Sequence, residues 1–161
     1  MSKITTIGKA GIELIKKSES FRSKPYRCAA GVPTVGFGST FYFDTKQRVK
    51  LTDTHISMDE ADRLLRGHVN SVFAPLADKL CRDDLNQNQF DAVVDFLYNC
   101  GATYKDKTGK AQLYNLFNHI NNRMPEEKLR AYWAKCAITG GGKVLKGLVT
   151  RRINEANLFF S

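Results

Sequence analysis

ESFRSKPYRCAAGVPTVGFGST, residues 19–40, departs from the pattern on either side of it, and its reading decides the fold. Ile7, Gly11, Leu14, Ile15 and Ser18 follow i, i+3/i+4 spacing, which predicts an amphipathic helix over about residues 6–20. Four positions on from Ile15 stands Glu19, so a carboxylate ends an inward-facing apolar row. Then come Pro25, Cys28, the turn Gly31-Val32-Pro33, a lone Thr34, and Gly36 and Gly38 around Phe37. Either this is a corner between two structural layers, or it carries chemistry at Glu19, Cys28 and Thr34.

Outward from the corner the pattern changes to short β-type runs. Tyr26, Thr34-Val35, Phe37, Thr40–Phe43 and Arg48–Leu51 predict a small antiparallel lobe over about residues 25–55, with a hairpin near residue 45. Ser57-Met58-Asp59-Glu60 has the form of a capping box and starts a linking helix over about 57–80, disturbed by Pro75. Everything after that reads helical. Asn86 with Gln89 starts a helix whose apolar face is Phe90, Val93, Val94, Leu97 and Cys100, and which Gly101 stops. Leu113, Leu116, Phe117 and Ile120 mark a further helix. Leu129, Tyr132, Trp133 and Cys136 mark another, and Leu148–Phe160 the last. Gly140–Lys143 reads as a flexible loop. The expectation is one α+β domain over 1–161, with a helical lobe over about 81–161 on which the first helix packs to bury its stripe.

Composition is that of a globular chain large enough for one substantial core: 161 residues, 42% hydrophobic and 25% charged. No apolar run approaches the ~18 residues that span a bilayer, and the N-terminus is too polar for a signal-peptide core. The expectation is a protein with no export segment of its own, no stable membrane insertion and residence in the cytoplasm. A net charge of +9 implies anionic partners: nucleic acid, an anionic membrane surface or an anionic wall polymer. Because the basic residues are scattered, they favour a solvated surface over a recognition patch. Cys28, Cys81, Cys100 and Cys136 lack paired metal-ligand spacing, so neither metal nor cofactor is expected, and three of the four suit buried free thiols.

A partly desolvated Glu19 would favour its neutral form and could serve as a general acid. Arg22, Arg151 or Arg152 could instead pair with it. Thr34 has a hydroxyl able to orient water. Cys28 could be a nucleophile, a water-positioning group or a small buried side chain, and no neighbouring histidine builds a Cys–His pair locally.

The spacing E-x8-C-x5-T from Glu19 through Cys28 to Thr34 resembles the active-site stretch of phage-type lysozymes, the endolysins of glycoside hydrolase family 24. That family carries E-x8-D-x5-T, and some members have Cys in the middle. LNQNQFDAVVDFLYNCG and GLVTRRINEANLF resemble its long buried helix and its closing segment, so the likeness runs from about residue 10 to 160. The resemblance implies a lysozyme-like fold with a cleft between the β lobe and the helices. It also implies hydrolysis of the β-1,4 bond between N-acetylmuramic acid and N-acetylglucosamine in peptidoglycan. Glu19 would be the acid, with Cys28 and Thr34 activating or positioning water. Thr40 would line the cleft from the β side, and Tyr98, Asn99 and Gln112 from the other. A monomer is expected, with a holin-type partner giving access to the wall. Two rivals predict other outcomes: a wall-binding protein of the same fold without activity, and a basic nucleic-acid-binding module, against which the scattered charge argues. Nucleic acid is therefore not an expected partner.

Overall fold

The computed structural model describes residues 2–161. In chain order the elements are α1 (Lys9–Glu19), β1 (Arg22–Arg27), β2 (Pro33–Gly36) and α2 (Met58–His68). A single π-helical turn (Val69–Phe73) leads into α3 (Ala74–Leu80), followed by α4 (Gln87–Cys100), β3 (Thr103–Lys105) and β4 (Ala111–Leu113). Then come α5 (Leu116–Asn121), α6 (Glu126–Trp133), β5 (Thr139–Gly140), β6 (Lys143–Val144) and α7 (Lys146–Phe159). The strands form three separate antiparallel pairs: β1–β2, β3–β4 and β5–β6.

Helix α4 is the axis of the helical part. It starts with a reciprocal capping box: Asn86 Oδ1 accepts from the Gln89 N–H at 2.9 Å, and Gln89 Oε1 from the Asn86 N–H at 3.0 Å. Phe90, Val93, Val94, Phe96 and Leu97 are buried along it, and its most extensive packing is against α7 and α1. Two aspartates on its buried side, Asp91 and Asp95, are fully enclosed. Asp91 caps α1 from a distance. The N-cap of α1 is Gly8, which has no side chain, so the Gly8 and Gly11 N–H groups donate to the Asp91 carboxylate at 2.8 and 2.9 Å. Gly11 is needed for this approach, because a Cβ there would lie 2.8 Å from Asp91 Cβ and 2.7 Å from Ile7 Cγ1. Of the predicted stripe, Ile7, Gly11 and Ile15 are buried against this axis, whereas Leu14 is half-buried and Ser18 exposed; Ile12, which the stripe left out, is fully buried.

The β lobe begins earlier and is less regular than the propensities suggest. β1 pairs with β2 through Tyr26↔Thr34 and Arg27↔Pro33, with an irregularity between Arg22 and Tyr26. The expected hairpin near residue 45 is present as one bridge, Phe41↔Arg48, and loop hydrogen bonds around Lys46, without regular strands. At α2 the Ser57 hydroxyl accepts from the Glu60 N–H at 3.1 Å. The Glu60 carboxylate does not complete the box, because Arg63 takes its two oxygens at 2.7 and 2.9 Å.

The region after residue 81 is not wholly helical. Leu113 belongs to strand β4, not to the helix predicted with it. The glycine loop is a tight hairpin, with Gly141 and Gly142 both at positive φ between β5 and β6. The four cysteines are free thiols, Cys81 and Cys136 buried and Cys28 and Cys100 half-buried.

Candidate active site

Helix α1 stops at Glu19 because the next residue, Ser20, sits at φ 59° and ψ 153°, a conformation rarely adopted outside glycine. The chain swings directly into β1, and the Glu19 carboxylate is left at the junction of helix and β lobe. It retains 25% side-chain exposure and borders two depressions. One, of about 300 Å³, is lined by Glu19, Gly38, Thr40, His68, Tyr98 and Asn99. The other, of about 680 Å³, shares Glu19 and Asn99 and adds Lys17, Lys146, Thr150 and Asn154.

Glu19 is not simply a desolvated carboxyl. Arg151, on α7, donates from Nη1 to Glu19 Oε1 at 2.7 Å. The rest of the same guanidinium forks onto Asp95, Nε to Oδ2 at 3.0 Å and Nη2 to Oδ1 at 2.8 Å. Of the three cationic partners left open by the sequence, Arg151 is the one that pairs. The two carboxylate oxygens thus differ: Oε1 is held, while Oε2 has no protein hydrogen bond among the described residues. A Cβ built on Gly38 would stand 3.4 Å from Oε2 and 3.1 Å from the Tyr98 hydroxyl. Gly38, at φ 94°, therefore keeps the approach to that oxygen open.

Arg152 belongs to a second, deeper group. Its Nη2 donates to Asn99 Oδ1 at 2.8 Å and also pairs with Glu155, whose other oxygen accepts from Trp133 Nε1 at 2.8 Å. Burial, reinforced by the neighbouring Asp95, pushes the Glu155 carboxyl well above the usual range. The Asn99 oxygen is thereby occupied, and its amide nitrogen is the group free to serve the cleft. The Tyr98 hydroxyl is also occupied, donating to the Phe37 carbonyl at 2.9 Å. Tyr98 therefore ties α4 to the corner, offering the cleft its ring. Gln112 is not brought to this site. It lies in β4 outside both depressions, and its amide donates to Asp106 at 2.9 Å within the β3–β4 hairpin.

Cys28 and Thr34 meet at the mouth of the β1–β2 turn. The Cys28 N–H donates to the Val32 carbonyl at 3.0 Å, and the Gly31 N–H to the Cys28 carbonyl at 2.8 Å. Backbone N–H groups of Val32 and Ala30, with the Thr34 hydroxyl, favour the thiolate and hold the Cys28 thiol below its ordinary value. Thr34 itself is buried, and in this arrangement its hydroxyl donates to the Val32 carbonyl at 2.9 Å. Its one proton lies on that carbonyl, and the Cys28 sulfur is its alternative acceptor. Burial pushes the Tyr26 phenol up; Arg22 opposes this, while Glu19 and Cys28 add to it. Tyr26 thus lies within electrostatic range of both. The other thiols are pushed up by burial, Cys81 and Cys136 to about 12 and Cys100 to about 11. At pH 7.5 iodoacetamide will therefore label Cys28 at least tenfold faster than the other three, by peptide mass spectrometry, since the thiolate is the reacting form. Equal labelling of Cys28 and Cys100 would contradict this electrostatic reading.

The phage lysozyme family profile matches residues 16–155. This chain belongs to that family. An endolysin of Bacillus phage B103 is 37% identical over 155 residues, covering 96% of this chain and 54% of that protein. An endolysin of Acyrthosiphon pisum secondary endosymbiont phage 1 is 30% identical, covering 96% of this chain and 98% of the other. The chain thus spans about half of the first relative and nearly all of the second. A crystal structure of a P22 lysozyme mutant superposes with a TM-score of 0.76 at 26% identity, covering 98% of this chain and all of that one. The α+β, lysozyme-like fold expected from the family motifs is the one observed. Sequence reasoning passed over Asp95 and His68 as site residues. Asp95 carried a signal, a carboxylate four positions after Asp91 within the otherwise apolar run Phe90–Leu97.

Proposed function

We propose that this chain is an endolysin that hydrolyses the β-1,4 bond between N-acetylmuramic acid and N-acetylglucosamine in peptidoglycan. The observation that carries the reading is the asymmetric Glu19 carboxylate, with Oε1 held by buried Arg151 and Oε2 open at the junction of two depressions. Oε2 is the atom that delivers the proton to the departing glycosidic oxygen as the bond from the anomeric carbon breaks. Water adds to the anomeric carbon, and the Cys28 thiolate takes its proton. The Thr34 hydroxyl, next to the sulfur, turns from the Val32 carbonyl to the thiolate to stabilise it. Thr40, Tyr98 and the Asn99 amide bind the strand. Lys17 and Lys146 beside Glu19 give the anionic polymer a cationic approach. The protein acts as a monomer on the wall after a holin-type membrane partner gives it access. No helix among the described residues is long and apolar enough to cross a membrane.

The role of Cys28 is tested on dye-labelled, purified sacculi. Cys28→Asp is expected to retain or raise the rate of dye release, and Cys28→Ala to lower it about a hundredfold, the usual scale of a lost general base. Full activity of Cys28→Ala would remove the thiolate from the reaction. Binding of wild type to sacculi without any release would favour a wall-binding protein of the same fold.

A further inference from the structure

We propose that His68 is a further substrate-positioning residue of this cleft, donating a hydrogen bond from its Nε2–H to the glycan strand. The inference rests on the reading of the cleft as the glycan site. His68 is the last residue of α2, at the point where the π-helical turn Val69–Phe73 begins. Such turns shift side chains out of helical register and are frequent at functional sites. The imidazole is boxed by aromatic rings: Phe41 at 4.5 Å between centroids, Phe73 at 5.4 Å and Tyr98 at 6.2 Å.

Its two nitrogens have different surroundings. Nδ1 is buried with no hydrogen-bond partner among the described residues, whereas the ring lines the same depression as Glu19, Thr40, Tyr98 and Asn99. A buried N–H without an acceptor is rarer in proteins than an unpaired acceptor. The proton of the neutral ring therefore resides on Nε2, the nitrogen left to the cleft, which becomes a fixed donor. An imidazolium would need a second N–H at partnerless Nδ1 as well as a charge among three aromatic rings. Burial, with Lys46 adding to it, holds the ring below its ordinary value and hence neutral. The charged and titratable groups facing it are Lys46 from the β-lobe loop, Glu19 across the depression and Tyr98 on α4. A glycan strand presents apolar C–H faces and hydroxyl or N-acetyl acceptors. Aromatic walls with one fixed donor match that chemistry.

The test compares wild type, His68→Phe and His68→Gln on soluble, uncrosslinked peptidoglycan strands. His68→Phe keeps the aromatic box and removes the donor, so KM should rise about tenfold, the size of one neutral hydrogen bond, with kcat within about twofold. His68→Gln restores an N–H at similar reach and should recover part of the loss. In parallel, nitrogen-15 NMR of the wild-type imidazole should show the Nε2–H tautomer at neutral pH. Unchanged KM in His68→Phe, or an Nδ1–H tautomer, would overturn the proposal while leaving the enzyme reading intact. A wild type that cleaves no strand at all would remove both.

Discussion

Glu19→Gln should reduce hydrolysis of purified peptidoglycan by about a thousandfold, within the range of a lost general acid, while the folded protein survives. The amide oxygen can still accept from Arg151, whose other two nitrogens stay on Asp95. What is lost is the transferable proton at the Oε2 position, in the opening that Gly38 leaves. Thermal unfolding should therefore move by only a few degrees, and KM by less than kcat. Equal losses in stability and activity would point to a structural Glu19, and retained lysis would exclude it as the acid.

Arg151→Met should give the largest loss of stability. Asp95 is fully buried and takes two hydrogen bonds from that guanidinium. Without them a carboxylate remains in the interior beside Glu155, which burial already keeps from ionising at its ordinary pH. Breaking one side of a buried pair costs about 3–5 kcal/mol, which for a chain of this length lowers Tm by roughly 10 °C. Activity falls as well, because Oε1 of Glu19 loses its anchor. The double variant Arg151→Met/Asp95→Leu should recover most of the stability, since the uncompensated charge is gone, and little of the activity. Denaturant unfolding of wild type, Arg151→Met, Asp95→Leu and the double variant measures the coupling. A loss below about 1 kcal/mol for Arg151→Met would mean that water reaches Asp95.

What the sequence made legible follows from how locally each feature is determined. Glu19 stood out because it ends a helical stripe, and the Asn86–Gln89 box because both partners lie within one turn. The helix over Leu148–Phe160 is present nearly as read, from Lys146 to Phe159. The partners of buried charges were not legible: Arg151 lies 132 positions from Glu19, and Asp91 caps a glycine 80 positions away. Periodicity carries no information about such pairings. The β3–β4 hairpin was missed because each strand has only three residues, too few for an alternating pattern to stand out, and they are mostly exposed. Its Asp106 does carry a local signal, since one oxygen accepts from the Thr108 N–H at 2.8 Å across a Gly-containing turn. Gln112 was assigned to the cleft by motif position alone, and that same Asp106 holds it in the hairpin.

The chemistry of the cleaved bond is the most direct test of the central claim. Purified sacculi digested with wild type, then reduced with borohydride and analysed by mass spectrometry, should yield reduced N-acetylmuramic acid at the new strand ends, and Glu19→Gln should yield almost none. Reduced N-acetylglucosamine ends, or the same products from Glu19→Gln, would contradict the account.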